Sequence, residues 1–472
     1  MDGDALLFTN VDLFAMHSTM NPRLAPWRPI QYLGCKLRTL DQVVGKVREL
    51  APSGGFVWEP FAGSTVVSQA LAQAGYRVWA GDALLSSATF ARALLGVGRH
   101  ETDGAHLESA ACLIADRAER TTRSHERIWR CWVELEATAL EANDGYGLLN
   151  LVSVLPQRWR PLGADETLTS VFESVEHAAD ERQTVAHGLI SSTYAGSYFG
   201  LRQALELEAI RGEIDRMVHS AGEQPEWLKA GLLTALAHAA SAAVFSPGKH
   251  FAQPHKIHRG KDLEFHSRRI LSDRSVSILE NFVEASKQIE AASRIEVENH
   301  RAYRQCVEDV SSDQLRDAGV NVVYADPPYT AQQYSRFYHV LDVLLESIPA
   351  KLQTKNGVVT SGLYPEGRYL SPFCSKTRAA SAIGDLAVTS ASAGASFVLS
   401  YSGSVSNLTG NARSVALPEI VRQMERAYGL GSVAVSRVPL TYRQFNKSSS
   451  GVVGRDDPEY VVTASPRRAD AR

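Results

Sequence analysis

Cysteine is scarce in this 472-residue chain: Cys35, Cys112, Cys131, Cys306 and Cys374 are the five. None stands in a C-x-x-C spacing, which excludes a disulfide framework or a cysteine zinc site as the organising feature and makes a reducing cytoplasm the expected setting. Long apolar runs are lacking too. No stretch of about 18 apolar residues occurs, so no membrane span and no membrane partner are expected. The opening "MDGDALLFTN" has no basic segment ahead of its apolar residues and does not read as a signal peptide. Nor is there an excess of one charge. The formal net charge is −3, so any nucleic-acid surface has to be a local patch. Histidines gather only at His250, His255, His258 and His266. A solvated basic loop explains them better than a metal site, and no metal is expected.

The composition, 44% hydrophobic and 21% charged, is that of a globular chain with a large core. Its length suggests about two to four domains. The first clear pattern is "GGFVWEPFAGSTVVSQALAQAGYRVWAGD", residues 54–82. Phe56–Glu59 is a short apolar strand, and Pro60–Ser64 is a turn containing Gly63. The stretch 65–74 then places Val66, Val67, Ala70, Leu71 and Ala74 on a helical stripe. Gly75 ends that helix, residues 77–80 form a second strand, and Asp82 lies just beyond. A strand–turn–helix–strand unit closing on an acid is the layout of a nucleoside-binding half of a doubly wound sheet.

From about residue 98 to 317 the pattern becomes helical, over 103–142, 200–217, 227–245 and 274–310, with "LLNLVSVLP" (148–156) as the one plausible strand. Strands return at 321–329 and 395–403. A pair at 432–442 and 458–466 suggests a terminal hairpin, and a helix is expected over 331–347. The expected fold is therefore α/β: a doubly wound, Rossmann-like sheet built from 1–97 and 318–466. A mainly helical insertion (98–317) and a short tail (467–472) complete the chain.

The most informative stretch is "VVYADPPYTAQQYSRFYHVL", residues 322–341. Two adjacent prolines have no backbone N–H and fixed φ, so Asp326-Pro327-Pro328-Tyr329 is a stiff corner at a strand end. Ligands of open α/β sheets bind just outside such ends. A strand-terminating turn with a packed tyrosine explains the tetrapeptide taken alone. It gains meaning from the glycine turn and the acid upstream.

Taken with "YLGCK" (32–36), "EPFAGS" (59–64), "YFGLRQALELEAIR" (198–211), "FVLSYS" (397–402) and "EYVVTA" (459–464), the chain resembles the adenine-specific DNA methyltransferases, which use S-adenosylmethionine. The resemblance implies a methyltransferase fold, S-adenosylmethionine as cofactor and double-stranded DNA as partner. It implies catalytic roles for Asp326, Pro327, Pro328 and Tyr329. Asp326 and the Pro327 carbonyl would accept the amine N–H groups, and Tyr329 would stack on the extruded base. The cofactor residues would be Tyr32, Gly34, Lys36, Glu59, Pro60, Phe61, Ala62, Gly63, Asp82 and Asp326. Gly63 would leave room for the methionine portion, and Asp82 would bind the ribose hydroxyls. Alone, Lys36 reads equally as a surface lysine, and a lone acid at Asp82 is more often a turn residue. Such enzymes often show D-x-F-x-G-x-G; here Thr65 stands where the second glycine would be.

The best basic patch is 246–269. It sets Lys249, Lys256, Arg259, Lys261, Arg268 and Arg269 against Asp262 and Glu264, an excess of 6 − 2 = +4. Phosphate contact, with Lys249, Lys256, Arg259 and Lys261 as the DNA-binding residues, and a solvated connecting loop both fit it. "YAGSYF" (194–199) fits core packing better than DNA contact. Two rivals stay open: another amino acceptor (cytosine, RNA or a protein amide), or a non-catalytic DNA-binding or cofactor-sensing subunit. No nuclease motif is evident, so a cleaving partner in a restriction or defence system would be a separate subunit.

Overall fold

A computed structural model describes residues 25–99, 106–185, 187–220, 226–257, 262–402, 413–438, 441–442, 455–456 and 459–466. Seven strands form the central sheet: β1 (Phe56–Glu59), β2 (Arg77–Asp82), β3 (Arg301–Arg304), β4 (Val320–Ala325), β5 (Ser396–Ser402), β6 (Val433–Val438) and β7 (Glu459–Ala464). Their spatial order is β3-β2-β1-β4-β5-β7-β6. Pairing is parallel from β3 through β5, and β7 is antiparallel to both of its neighbours. The sheet is thus α/β and mostly parallel, as expected. Its order reverses between β1 and β4, the switch point at which doubly wound sheets bind ligands.

Alternation along the strands covers both faces of this sheet. Phe56, Trp58, Val323, Phe397 and Leu399 face a core closed by helices Ala379–Ser392 and Leu417–Tyr428. Val57, Val78, Val322, Tyr324 and Val398 face the other way, onto Leu40–Leu50 and Val66–Gln73. Most of the helical block packs into the rest of the chain, while a smaller cluster of Ala139, Leu148, Leu149, Phe245 and Ile270 lies within it. Other buried residues of the block, among them Leu205, Ile210, Trp227 and Leu236, share one cluster with Phe90 and Leu94 and with Phe337, Leu341 and Leu344. The last three lie on the helix Ser335–Glu346 that follows the Pro-Pro corner.

Two elements differ from expectation. The stretch 148–156 is not a strand; most of it lies in the helix Gly145–Val154, whose N-cap Asp144 accepts the Gly147 N–H at 2.9 Å. Leu148 and Leu149 are buried, and Leu151 and Val152 pack beside them, which is a helical spacing. A short apolar run does not distinguish the two states by periodicity. Likewise, 274–310 is not one helix. The helix Ile278–Ala292 is followed by β3, which pairs with β2 at the sheet edge, inside the range read as helical insertion. The terminal strand pair is antiparallel, with Glu459 opposite Val438. Most of the charged Gly/Ser loop joining it, and the tail 467–472, lie outside the described residues. Among the described residues no helix is long and apolar enough to cross a membrane.

Candidate active site

The carboxyl ends of β1, β2 and β4 open into one cleft. The segment 32–36 closes one wall, and the turn 60–64 and the residues after Asp82 form another. The corner 326–329 reaches the same space. All thirteen catalytic and cofactor candidates therefore line a single cleft: Tyr32, Gly34, Lys36, Glu59, Pro60, Phe61, Ala62, Gly63, Asp82, Asp326, Pro327, Pro328 and Tyr329. Parallel pairing brings them together, because β1 lies between β2 and β4 and their ends point the same way.

Asp326 follows the last residue of β4. Its side chain is 19% exposed, and Oδ1 is buried against the Lys36 ammonium. The nearest cation is Lys36, with Nζ 3.1 Å from Oδ1. Lys36 is only 4% exposed, so the surface-lysine alternative falls away. Its ammonium also donates to Glu459 Oε1 at 3.2 Å and stands 5.4 Å from the centre of the Tyr329 ring. Burial pushes the Asp326 carboxyl up to about 6, although Lys36 pulls the other way. Burial also pulls the Lys36 ammonium down, but Asp326, Tyr329 and Glu459 outweigh it and hold its pKa well above the usual lysine range. Glu459 was not anticipated as part of this group. An acid heading an apolar strand, "EYVVTA", was the one sign in the sequence.

Asp82 is the last residue of β2 and 9% exposed. It braces the turn: Oδ2 accepts the Gly63 N–H and Oδ1 the Leu84 N–H, each at 2.9 Å. A carboxylate has about four acceptor positions, so each oxygen retains capacity for a hydroxyl. Burial raises this carboxyl to about 6, against the pull of those N–H groups. Glu59, buried beneath the turn, accepts the Ser68 hydroxyl. Burial lifts it to about 8, so it is largely protonated at neutral pH.

Gly63 has φ +49°, and its close neighbour is the ring of Tyr32. The space assigned from sequence to a methionine portion is bordered by this tyrosine, which stacks on Tyr338 at 4.5 Å. A Cβ on Gly63 would stand 2.9 Å from Tyr32 Cε1. Gly63→Ala should therefore cost more than the about 1–2 kcal/mol of a left-handed non-glycine residue. The cost measured by urea unfolding should be smaller in a Tyr32→Ala background. Equal costs in both backgrounds would mean that the ring is not what confines this glycine.

Thr65 stands where the pattern has its second glycine. At φ 63°, ψ 10° it adopts the left-handed conformation that glycine takes without penalty. The turn holds it there: its N–H donates to Ala62 O and its hydroxyl to Ser64 O, each at 2.7 Å.

The ring of Tyr329 meets Arg413, whose guanidinium lies 4.8 Å from the ring centre, and Tyr401, edge-on at 5.8 Å. Arg413 also escaped notice in the sequence. The proposed DNA residues separate. Lys249 is only partly exposed, at 25%. Its ammonium is spent on Asp273 Oδ1 at 2.8 Å and Ala242 O at 2.7 Å. Lys256 is exposed, whereas Arg259 and Lys261 lie outside the described residues. Tyr194, Tyr198 and Phe199 are buried in the core, as expected. Among the described residues no cluster of three or more His, Cys, Asp or Glu side chains could hold a metal ion.

No protein-family model matches the chain, and no curated protein matches it either.

Proposed function

We propose that this chain is an S-adenosylmethionine-dependent amino-methyltransferase whose acceptor is adenine in double-stranded DNA. The observation that carries the proposal is the Asp326 carboxylate, held by Lys36 Nζ at 3.1 Å and lining the cleft at the head of a rigid corner at the switch point of the sheet. A carboxylate has about four acceptor positions, so Asp326, engaged by one lysine, retains capacity for an amine N–H.

The residues fit the cofactor. Asp82 retains acceptor capacity for ribose hydroxyls, and the turn 60–64 and the segment 32–36 wall the space beside it. When bound, S-adenosylmethionine supplies an electrophilic methyl group on its sulfonium. Asp326 accepts one amine N–H, and the Pro327 carbonyl is the partner for the other. With its N–H groups held in this way, the nitrogen can turn its lone pair out of the ring. The two prolines keep both acceptors fixed relative to each other, so orientation is provided before the reaction. Lys36 keeps Asp326 ionised.

The test is transfer of tritiated methyl to DNA, RNA and protein, followed by mass spectrometry of the digested nucleosides. Label in adenine of DNA is expected. Label in RNA or protein would reassign the acceptor, and no label in any of them would overturn the enzyme reading. Stacking on Tyr329 makes a further prediction. Tyr329→Ala should weaken productive DNA binding by about 1–3 kcal/mol, while Tyr329→Phe should retain most of the activity. A 2-aminopurine at the target position reports extrusion by its fluorescence. Wild-type fluorescence without change, together with normal methylation by Tyr329→Ala, would exclude this tyrosine as the stacking platform.

A further inference from the structure

Beside the cleft, two guanidinium groups crowd one tyrosine. Arg336 lies 4.9 Å from the centre of the Tyr364 ring, and its Nη2 donates to the Tyr364 hydroxyl at 2.9 Å. Arg368 lies 5.2 Å from the same ring, and its Nη1 donates to Ser335 Oγ at 3.3 Å. Ser335 and Tyr369, the sequence neighbours of these arginines, line the cleft, so the pair stands at its rim.

Electrostatically the arrangement is unfavourable as it stands. Among the described residues neither guanidinium forms an ion pair with a carboxylate. Some arginines elsewhere have one, as Arg158 with Glu176, Arg211 with Asp215 and Arg269 with Asp273, whereas Arg77, Arg160 and Arg301, like this pair, lie over aromatic rings instead. Arg336 also occupies the first turn of the helix Ser335–Glu346, which contains no acid. That end of a helix carries partial positive charge and favours anions. Three sources of positive potential thus converge without a counter-charge. Burial lowers the pKa of Arg368, and Arg336 lowers it further. The basic segment 246–257 docks on the same corner, through the Phe251 N–H to Phe337 O at 2.8 Å and the Tyr364 hydroxyl to Ala252 O. It carries the exposed Lys256.

Planar guanidinium forks match phosphate oxygens in pairs, and tyrosine beneath them fixes their planes. We infer that Arg336 and Arg368 form a phosphodiester clamp that grips the nucleic-acid backbone next to the nucleotide entering the cleft. The inference rests on the nucleic-acid reading and adds the contact that holds the strand at the rim. A backbone clamp positions the substrate without reading its sequence.

Binding of a fluorescein-labelled DNA duplex of mixed sequence, followed by anisotropy between about 50 and 200 mM salt, tests it. Each phosphate contact contributes about 0.9 to the slope of log K against log salt. Arg368→Gln, which loses one long hydrogen bond to Ser335 and the contact with the Tyr364 ring, should reduce the slope by about 0.9, and Arg336→Gln/Arg368→Gln by about 1.8. Arg368→Lys should retain most of the slope, and calorimetric affinity for S-adenosylmethionine should not change in Arg368→Gln. Wild-type binding with the same slope in the Gln variants would overturn the clamp and leave the nucleic-acid reading intact. A loss of S-adenosylmethionine affinity in Arg368→Gln would reassign the pair to the cofactor and overturn it too. A wild-type chain that binds neither DNA nor RNA would overturn both the clamp and the acceptor assignment.

Discussion

Asp326→Ala is expected to lower methyl transfer to DNA by about 10²–10⁴-fold, the range for a positioned proton acceptor, with S-adenosylmethionine affinity changed only a few-fold. The separation follows from position. Asp326 heads the corner after β4, whereas the cofactor candidate Asp82 ends β2 and is tied to the Gly63 and Leu84 N–H groups. Removing the Asp326 carboxylate leaves the turn, its glycine and Asp82 in place. Asp326→Asn refines the test. It keeps the volume and one acceptor but replaces an oxygen with an NH₂ that would confront both Lys36 and an incoming amine. Both variants should bind cofactor in calorimetry and fail in the tritium assay. Activity within tenfold of wild type in both would remove Asp326 from the chemistry.

How much of this was legible in the sequence depends on where the signal resided. β1, β2, β4 and β5 are apolar runs bounded by glycine, proline or acid, and they were evident because both faces of each are buried. β3 was missed because it is an edge strand, "RAYR", with only Ala302 buried. Nothing in its composition separates it from the end of a helix. The helix Gly145–Val154 was misread for the opposite reason: its apolar residues are dense enough to pass as a strand. Site residues followed the same logic. The corner and the glycine turn are local patterns, so they could be found. The contact of Lys36 with Glu459 spans 423 positions and arises only when β7 is laid antiparallel beside β5. Lys249 shows the converse. Its charge was visible in the sequence, but its buried partner Asp273 on a neighbouring helix was not.

That long-range contact also makes Lys36→Met the variant with the widest consequences. Lys36 is the cation between two carboxylates, Asp326 at 3.1 Å and Glu459 at 3.2 Å. Removing one partner of a buried ion pair typically costs about 3–5 kcal/mol, because the remaining charge is left uncompensated. The loss should depend on pH in a definite direction. In the variant the folded-state pKa of Asp326 rises further above its unfolded value. Its contribution to stability is then fully present only below the unfolded pKa, and is lost as pH rises through the folded pKa. The deficit relative to wild type should therefore widen from acid to neutral pH. Activity should follow the same group. With Asp326 at about 6 in the wild type, kcat/KM should fall as pH drops through about 6, because in the proposed mechanism it is the ionised form that accepts the amine N–H. An opposite charge this close lowers a carboxyl pKa by roughly 1–3 pH units, so its removal should move the acid limb upward by that amount. Glu459→Gln provides the opposing control. The Glu459 charge helps to hold the Asp326 carboxyl up, so neutralising it should move the limb to lower pH. Opposite displacements in the two variants identify Asp326 as the titrating group. If the limb stays in place in both, some other residue sets the pH profile, and the Lys36–Asp326–Glu459 group serves the fold alone.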